Sequence, residues 1–481
     1  MSKEKESKST NKSTSKTKNV SKVAKKKTIK EKKPEGLYAY DGDVKFFKTI
    51  PYGLQHVLSM FVSNIVPIII IGGVCNLSNS ELAKLIQVAM IFAGLGTLLQ
   101  LFPIWKIGSR MPMVLGVSFT FVTAFTYIGA THGFGAVLGA CLCGGLVELL
   151  LGLTCKFWRK LITPVVSACV VISIGMSLFT VGAQSFGGGS NVSNFGDYKY
   201  LIIGFITLIT CIIFNVWGKG FMKNLSILFG MIAGYIASVC FGIIDFSTIA
   251  SSSIIAIPKV LPYDLVFVPS AIVSTILIFL VSTTEAIGDF SALSENAFNR
   301  EVSEKELGGG IACDGFMSMV ASLFGCLPLT SFSQNVGLVG MTKIVNRKAI
   351  ASGALVLIIA GLFPIFSNIL ATVPDSVLGG CTIMLFGTIV ITGMKMLSKA
   401  GFTERNLIIS SLALSMGVGF TNTPGIFNEF PELIRGVFEG NCVALVFVIS
   451  LVLNLILPKE KIDYSKYDDG IKPIEVKEEY R

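Results

Sequence analysis

The sequence contains little charge for its length. Only 15% of its 481 residues are Asp, Glu, Lys or Arg, 52% are apolar, and the mean hydropathy is +0.71. A soluble domain usually has about a quarter of its residues charged. These values exclude a water-soluble globular protein and indicate a chain that crosses a membrane many times.

Net charge is also missing from most of the chain. The first 33 residues hold 13 Lys and three Glu, and their net charge of +10 equals that of the whole protein. The remaining 448 residues are electrically neutral, which excludes a nucleic-acid-binding surface on the folded body. Residues 1–48 are predicted to form a disordered, Lys-rich cytoplasmic tail that leads into the membrane domain, and its Lys cluster could also contact anionic lipid.

The sequence lacks the motifs of enzymes and of cofactor-binding proteins. Its 11 Cys lie almost entirely in apolar stretches, without the spacing of a disulfide framework or a metal site. There is no Gly-rich phosphate loop, and with two His in the chain no nucleophile has a suitable His partner. The first long apolar run begins only after about fifty residues, so a cleaved signal peptide is not expected. We expect no cofactor, no metal and no enzymatic activity.

What the sequence does contain is a series of long apolar stretches between residues 49 and 457. Each has about 17 to 25 residues, enough to cross a hydrocarbon core about 30 Å thick. Fourteen spans are predicted, which begin near Tyr52, Leu82, Met111, Phe134, Leu161, Leu201, Leu225, Val266, Gly309, Thr330, Ala349, Ser376, Arg405 and Cys442. Short cytoplasmic loops collect Lys and Arg. Of the basic residues in this domain, 15 fall on one side and four on the other, which places both termini in the cytoplasm.

A few predicted spans contain acids, although an ionisable residue at membrane depth costs about 2.5 to 3.5 kcal/mol to insert. Glu285 and Asp289 end a long apolar run and lie one helical turn apart on one face. Such acids usually face a cavity with a partner or a substrate; if the span ended earlier, both would lie in cytoplasmic water. Asp314 lies in a Gly-rich span and is either functional or a carboxylate that caps or pairs helices.

The third and tenth predicted spans contain too many polar and helix-breaking residues for continuous helices. Residues 328–337 read PLTSFSQNVG, and residues 111–119 include Pro112, Gly116 and the pair Ser118-Phe119. Irregular backbone at membrane depth is tolerated where it lines a cavity or is buried in protein. Interrupted segments at equivalent positions of two halves are typical of a transporter's binding site. For residues 328–337, a polar loop between shorter spans is the alternative.

A set of short motifs runs in order through the membrane domain. It comprises Gln55-His56, the GTLLQ run at 96–100, Ser118-Phe119, Glu285 with Gly288-Asp289, Asp314-Gly315, Gln334-Asn335-Val336-Gly337 followed after four residues by Thr342-Lys343, and Leu378-Gly379-Gly380. The set resembles that of the nucleobase/ascorbate transporters, the xanthine and uracil permeases, whose signature is Q/E-N-x-G-x-x-x-x-T. The resemblance extends from about Gly53 to Leu457.

The resemblance implies an all-helical membrane fold of fourteen spans in two inverted seven-span repeats, with spans 3 and 10 broken. A core domain (spans 1–4 and 8–11) would move against a gate domain (spans 5–7 and 12–14), usually in a homodimer in the plasma membrane. The transporter domain would cover residues 49–457, and residues 458–481 would form a cytoplasmic tail.

The resemblance also implies a function and a site. The function is import of a purine nucleobase such as xanthine or urate, with proton symport expected because the site offers acids. The acid at Glu285 and the amide at Gln334 would hydrogen-bond the base, together with Asn335, and Phe119 with Ser118 would form the opposite wall. The side chains implied to support the site or its proton coupling are Asp289, Asp314 and His56.

Two departures from the family pattern keep another substrate open. Leu115 lies where some purine transporters have Gln, and Lys343 replaces the commoner Arg or Gly. Uracil is therefore the alternative substrate within the family. Outside it, an anion channel or exchanger would need a basic residue near the ends of the half-helices, and none lies between Pro328 and Met341.

Overall fold

The computed structural model describes residues 35–189, 192, 194–244 and 254–458, which are mainly helical. Residues 1–34 of the predicted N-terminal tail, and the C-terminal tail after residue 458, lie outside the described residues. The helices are α1 (Phe46–Val74), α2 (Asn79–Leu101), α3 (Val122–His132), α4 (Phe134–Leu153), α5 (Cys155–Trp158), α6 (Pro164–Ser177), α7 (Phe179–Phe186), α8 (Tyr198–Val216), α9 (Phe221–Asn224), α10 (Ser226–Cys240), α11 (Pro269–Phe298), α12 (Glu304–Ser322), α13 (Ser333–Thr342), α14 (Arg347–Leu362), α15 (Pro364–Ala371), α16 (Asp375–Ala400), α17 (Glu404–Thr421), α18 (Glu432–Phe438) and α19 (Cys442–Ile456). Three 3-10 turns (Gly36–Tyr38, Phe119–Phe121 and Arg159–Leu161) and two strands, β1 (Leu115–Val117) and β2 (Leu329–Ser331), complete the described elements.

Within the described part of the chain, seven helical segments are long and apolar enough to cross a membrane. They are α1, α2, α4, α6 with α7, α8, α11 and α16, and the count rises to nine if the bent pairs α14–α15 (79°) and α18–α19 (101°) each form one span. The other five predicted spans begin near Met111, Leu225, Gly309, Thr330 and Arg405. Their elements are short, interrupted, or diluted by glycine and charge, so they do not meet the same criterion of length and hydropathy.

Several helices begin where the sequence carries a capping signal. Ser78 and Ser303 precede α2 and α12, and each is followed three residues later by a Glu that completes a capping box. The backbone N–H of Ser303 donates to Glu306 Oε2 at 3.0 Å, while that of Glu306 donates to Ser303 Oγ at 3.3 Å. These bonds satisfy N–H groups that the first helical turn leaves unpaired, and they fix the start of the helix.

The two interrupted segments meet through their strands. β1 pairs antiparallel with β2, with Leu115 opposite Ser331 and Val117 opposite Leu329, and all six strand residues are buried. Neighbouring side chains complete the hydrogen bonding: the N–H of Leu115 donates to Thr97 Oγ1 at 3.0 Å, and that of Val117 to Asn64 Oδ1 at 2.7 Å. Extended backbone is stable here because its polar groups are paired inside the protein.

Helices α4 and α12 pack unusually closely because glycines line their contact. A Cβ atom placed at Gly145 would lie 2.7 Å from the backbone nitrogen of Met319 and 2.9 Å from the carbonyl oxygen of Gly315. Any larger residue at this position would push the helices apart. The contact fixes α12, which carries Asp314, against α4.

The segment just before α1 is folded onto the loop between α13 and α14. The buried Asn346 side chain lies with Nδ2 at 3.1, 3.0 and 2.9 Å from the carbonyl oxygens of Gly36, Ala39 and Gly42. Arg347 Nε forms an ion pair with Asp41 Oδ1 at 2.9 Å. Residues 36–42, which we call the N-terminal clasp, are thus held by main-chain as well as charged contacts.

Candidate functional site

The helical turns that follow the two strands approach the acids of α11. Thr120 Oγ1, in the turn after β1, donates a hydrogen bond to Glu285 Oε2 at 2.7 Å. Ser333 Oγ, the first residue of α13, lies 2.8 and 2.9 Å from the two carboxylate oxygens of Asp289. The start of a helix has unpaired N–H groups and a partial positive charge, which favours an acid at this position. Each half-helix therefore meets one acid of α11.

The acids of α11 and the first residues of α13 are only partly buried, although most of the residues around them are buried. Glu285, Asp289, Ser333 and Gln334 are all partly exposed. Glu285 Oε1 and the side-chain amide of Gln334 make no hydrogen bond with any residue that the structure describes. A carboxylate oxygen and a carboxamide are thus available to a ligand beside the same pair of half-helices.

Aromatic rings lie next to this polar group. Phe119, in the same turn as Thr120, is 8% exposed and packs edge-on against Phe386 of α16, with ring centroids 5.4 Å apart. Ser118 caps this turn, because its Oγ accepts from the N–H of Thr120 at 3.3 Å. The turn after β1 therefore supplies both a hydroxyl for Glu285 and an apolar ring.

Asp314 stabilises the paired strands β1 and β2 through buried hydrogen bonds. It is fully buried; its Oδ2 accepts from the N–H of Ser331 at 3.1 Å, and its Oδ1 accepts from Gln100 Nε2 at 2.9 Å. The amide of Gln100 is itself fixed, since its Oε1 accepts from the N–H of Ser109 at 2.9 Å. The structure gives Asp314 the contacts of a residue that holds β2 in place.

His56 and Asn335 form a separate buried pair between α1 and α13. His56 Nδ1 lies 2.7 Å from Asn335 Oδ1, and both side chains are almost completely buried. The amide oxygen is an acceptor, so Nδ1 carries the hydrogen. Asn335 thus contacts α1, whereas the neighbouring Gln334 stays partly exposed.

Sequence reasoning missed Thr120 and Ser333, which contact the acids of the candidate site, and Glu148, which hydrogen-bonds to α11 one turn before Glu285. Thr120 and Ser333 are ordinary polar residues whose partners lie 165 and 44 positions away in the chain, so no local pattern marks them. Glu148 is a fully buried acid in α4 that accepts hydrogen bonds from Ser282 and Thr283. An acid inside an apolar span is the same signal that pointed to Glu285, and it was available for Glu148.

Metal binding has no support in the described ranges. No group of three or more His, Cys, Asp or Glu side chains there is arranged to hold a metal ion. All 11 cysteines are free thiols, and most of them are buried.

Comparison with known proteins identifies the family. The profile of a permease family matches residues 47–426. The xanthine permease XanQ of Escherichia coli K12 is 33% identical over 428 residues, which cover 86% of this chain and 92% of XanQ. The uric acid permease PucK of Bacillus subtilis 168 is 34% identical over 408 residues, which cover 84% and 94%. The chain belongs to the xanthine/uracil permease family.

This permease is therefore a multi-pass membrane transport protein and not an enzyme, as the sequence predicted. A solved structure supports the fold. The transmembrane domain of the cyanobacterial bicarbonate transporter BicA matches with a TM-score of 0.55 at 14% sequence identity, covering 85% of this chain and 98% of that domain. At this identity the likeness concerns the fold alone.

Proposed function

We propose that this permease imports a purine nucleobase of the xanthine or urate kind into the cell by proton symport. The observation that carries the proposal is the partly exposed carboxylate of Glu285 beside a half-helix that also provides Phe119, with the free amide of Gln334 at the start of the other half-helix. The relatives that match most of the chain are named as xanthine and uric acid permeases, which favours the same substrate class.

The groups at this site suit a planar purine base. Such a ligand presents alternating N–H and C=O groups at its edge and needs few polar partners in a mostly apolar cleft. Glu285 Oε1 can accept from an N–H, and the Gln334 amide can donate and accept at once. Phe119 can pack against the face of the ring.

The acids also offer a means of coupling to protons. Glu285 and Asp289 lie one turn apart on α11, and each accepts from a hydroxyl of a different half-helix. A carboxyl whose proton occupancy changes when the base binds would link transport to the proton gradient. This role falls first on Glu285, because one of its oxygens is free for the base.

For the architecture we propose fourteen spans in two inverted repeats, in a homodimer of the plasma membrane with both termini in the cytoplasm. The nine apolar helices or bent pairs and the five shorter elements together account for fourteen segments along the described chain. The antiparallel pairing of β1 with β2 also fits two equivalent segments of opposite orientation. Core and gate domains would then divide the spans as the family resemblance implies.

Anion transport is the competing function, and the fold alone permits it, since BicA is named as a bicarbonate transporter. Half-helix starts can bind anions. Here, however, acids already lie beside both of them. The first basic residue after β2 is Lys343, at the far end of α13, and its Nζ donates to the carbonyl oxygen of Asn296 at 3.0 Å. A nucleobase therefore fits these groups better than a small inorganic anion such as bicarbonate.

Uptake of radiolabelled xanthine into cells or proteoliposomes tests the proposal, with unlabelled urate, guanine, hypoxanthine and uracil as competitors. We expect accumulation that purines inhibit and that a protonophore abolishes. Uptake that needs sodium and survives the protonophore would contradict proton coupling. Competition by uracil alone would favour the alternative substrate, and bicarbonate-dependent flux without base uptake would contradict the proposal as a whole.

A further inference from the structure

Glu148 is a buried acid for which the proposed site has no role. Its side chain is 0% exposed, its Oε1 lies 3.0 Å from Ser282 Oγ and 3.4 Å from Thr283 Oγ1, and its Oε2 has no partner among the described residues. Burying a polar group costs free energy unless hydrogen bonds compensate for it. Acids at membrane depth are rare for this reason and are usually functional.

The two hydroxyls do not hold Glu148 equally. Thr283 Oγ1 lies 2.7 Å from the carbonyl oxygen of Phe279, closer than to Glu148, and a hydroxyl has one hydrogen to donate. Ser282 Oγ has Glu148 as its hydrogen-bond partner within the described ranges. The main side-chain hydrogen bond between α4 and α11 near Glu148 is therefore the one that Ser282 donates to Glu148.

The hydrogen bond from Ser282 to Glu148 lies between the candidate site and the close contact of α4 with α12. Ser282 lies three residues before Glu285, on the preceding turn of α11. On its other side Glu148 borders the close α4–α12 contact, where a Cβ at Gly315 would lie 2.7 Å from the carbonyl carbon of Glu148. The tightly packed pair α4–α12 thus holds α11 one turn away from Glu285.

We propose that Glu148 is a positioning residue for Glu285. By accepting from Ser282, it fixes the rotation and height of α11 so that the Glu285 carboxylate meets Thr120 and presents its free oxygen to the ligand. A binding group that lies about 1 Å from its productive position loses much of its effect, so its supporting contacts matter. The inference rests on the proposed function, in which Glu285 binds the base.

Three variants test this role. Glu148→Gln keeps a carbonyl acceptor for Ser282, Glu148→Leu has a similar size without an acceptor, and Ser282→Ala removes the donor. We expect Glu148→Leu and Ser282→Ala each to raise the KM for xanthine about tenfold, as the loss of one buried hydrogen bond would. Glu148→Gln should restore KM to within about threefold of the parent. The double variant Glu148→Leu/Ser282→Ala should be no worse than Glu148→Leu, because both remove the same contact.

A matched control and a second readout separate positioning from general damage. Thr207 is also 0% exposed, but among the described residues its hydroxyl donates only to the carbonyl oxygen of Ile203 in its own helix, so Thr207→Val should leave KM unchanged. The second readout is the rate at which a hydrophobic carbodiimide labels Glu285, followed by mass spectrometry without substrate. We expect Glu148→Leu and Ser282→Ala to change this rate at least about threefold relative to the parent and Glu148→Gln to leave it unchanged, because the hydrogen-bonded position of a carboxyl governs its reactivity.

Each outcome decides the matter. Parental KM and parental labelling in Glu148→Leu and Ser282→Ala, with normal amounts of protein, would overturn the inference. Damage in Glu148→Gln equal to that in Glu148→Leu would also overturn it, because the acceptor would then not be what matters. If the parent takes up no base but labelling of Glu285 still changes in Ser282→Ala, the proposed function fails while the positioning role stands.

Discussion

At the scale of single residues, the side chains of the candidate site differ in how many of their hydrogen-bonding atoms already have a partner. Thr120 and Ser333 each hold one acid of α11, while Asp314 and His56 are bonded to partners in the buried core. Glu285 and Gln334 keep unused hydrogen-bonding atoms. A ligand gains most from groups that are positioned but not already satisfied, so these two residues should decide affinity and specificity.

We expect Glu285→Gln to abolish or severely weaken accumulation of xanthine. The substitution keeps the shape of the side chain but replaces a group that exchanges protons with one that does not, and it exchanges an acceptor oxygen for a donor. The measurement is uptake against a proton gradient at matched protein levels. Glu404, an exposed acid at the start of α17, provides the control variant Glu404→Gln, which should transport normally. Near-parental uptake by Glu285→Gln would show that Glu285 is not needed for substrate binding or proton coupling.

Gln334→Glu tests the basis of the purine preference. The amide has a donor and an acceptor side by side, whereas an ionised Glu only accepts. Loss of the donor would leave a buried substrate carbonyl unpaired at a cost of about 1 to 3 kcal/mol, or roughly 5- to 150-fold in affinity. Binding of xanthine to the purified protein measures this directly. If affinity is unchanged, Gln334 has a structural role and the purine assignment loses its main support at residue level.

At the scale of elements, the crossing of β1 and β2 is the feature that creates the site. The strands orient two short helices so that their first turns meet α11, and each strand depends on side chains from outside the sheet. The side chains of Thr97 and Asn64 accept hydrogen bonds from backbone N–H groups of β1, and Asp314 accepts one from the last N–H of β2. A sheet of two three-residue strands has little stability of its own, so these contacts maintain it.

Asp314→Asn should therefore destabilise the crossing. The carboxylate accepts from both Gln100 and the N–H of Ser331, whereas an amide has one oxygen to accept with and would place an NH₂ group opposite a second donor. We expect a loss of about 1 to 3 kcal/mol, visible as a lower midpoint in thermal unfolding of the purified protein. Thr207→Val again provides a control for a buried polar substitution. An unchanged midpoint would show that β2 does not depend on Asp314.

At the scale of the whole molecule, the helices differ strongly in how much of their surface other helices cover. In the most apolar window of α2, 78% of residues are buried, against 22% in that of α8. Most of the exposed residues of α8 are large and apolar, including Phe205, Ile209 and Ile212, as expected for contact with lipid. Glu285 and Asp289 lie on α11, which is intermediate between these two helices, with 56% of the residues in its most apolar window buried.

The N-terminal clasp predicts where the chain can be shortened. Deletion of residues 1–34 leaves every residue of the clasp in place and provides the reference for uptake and thermal stability. Deletion of residues 1–42 should lower the midpoint of thermal unfolding, because it removes the three carbonyl partners of Asn346 and leaves a buried amide unpaired. The Asp41–Arg347 ion pair is partly exposed and should add little. Equal stability of the two truncated proteins would show that the clasp is not needed.

Composition and spacing determined the class of this protein. Little charge, long apolar runs and a neutral body indicate a membrane chain because of the cost of burying charge and unpaired backbone in lipid. The same reasoning singled out Glu285, Asp289 and Asp314, and the ordered motifs predicted the family, which the matches to known permeases confirm. The polar and helix-breaking residues of the two segments also predicted that both are interrupted, near Gly116 and Ser331. Each segment does contain a strand followed by a helix.

The tertiary structure decided which of these groups are free and which support others. Asp314 and Glu285 look alike in sequence, as acids in spans, yet one is fully bonded to Gln100 and Ser331 while the other keeps an open oxygen. The role that we propose for Glu148 follows only from the packing of α4 against α11 and α12. Contacts such as Thr120 to Glu285 join residues 165 positions apart, and the energy that selects them comes from packing of whole helices. Local sequence cannot encode that choice, because it depends on which helices become neighbours.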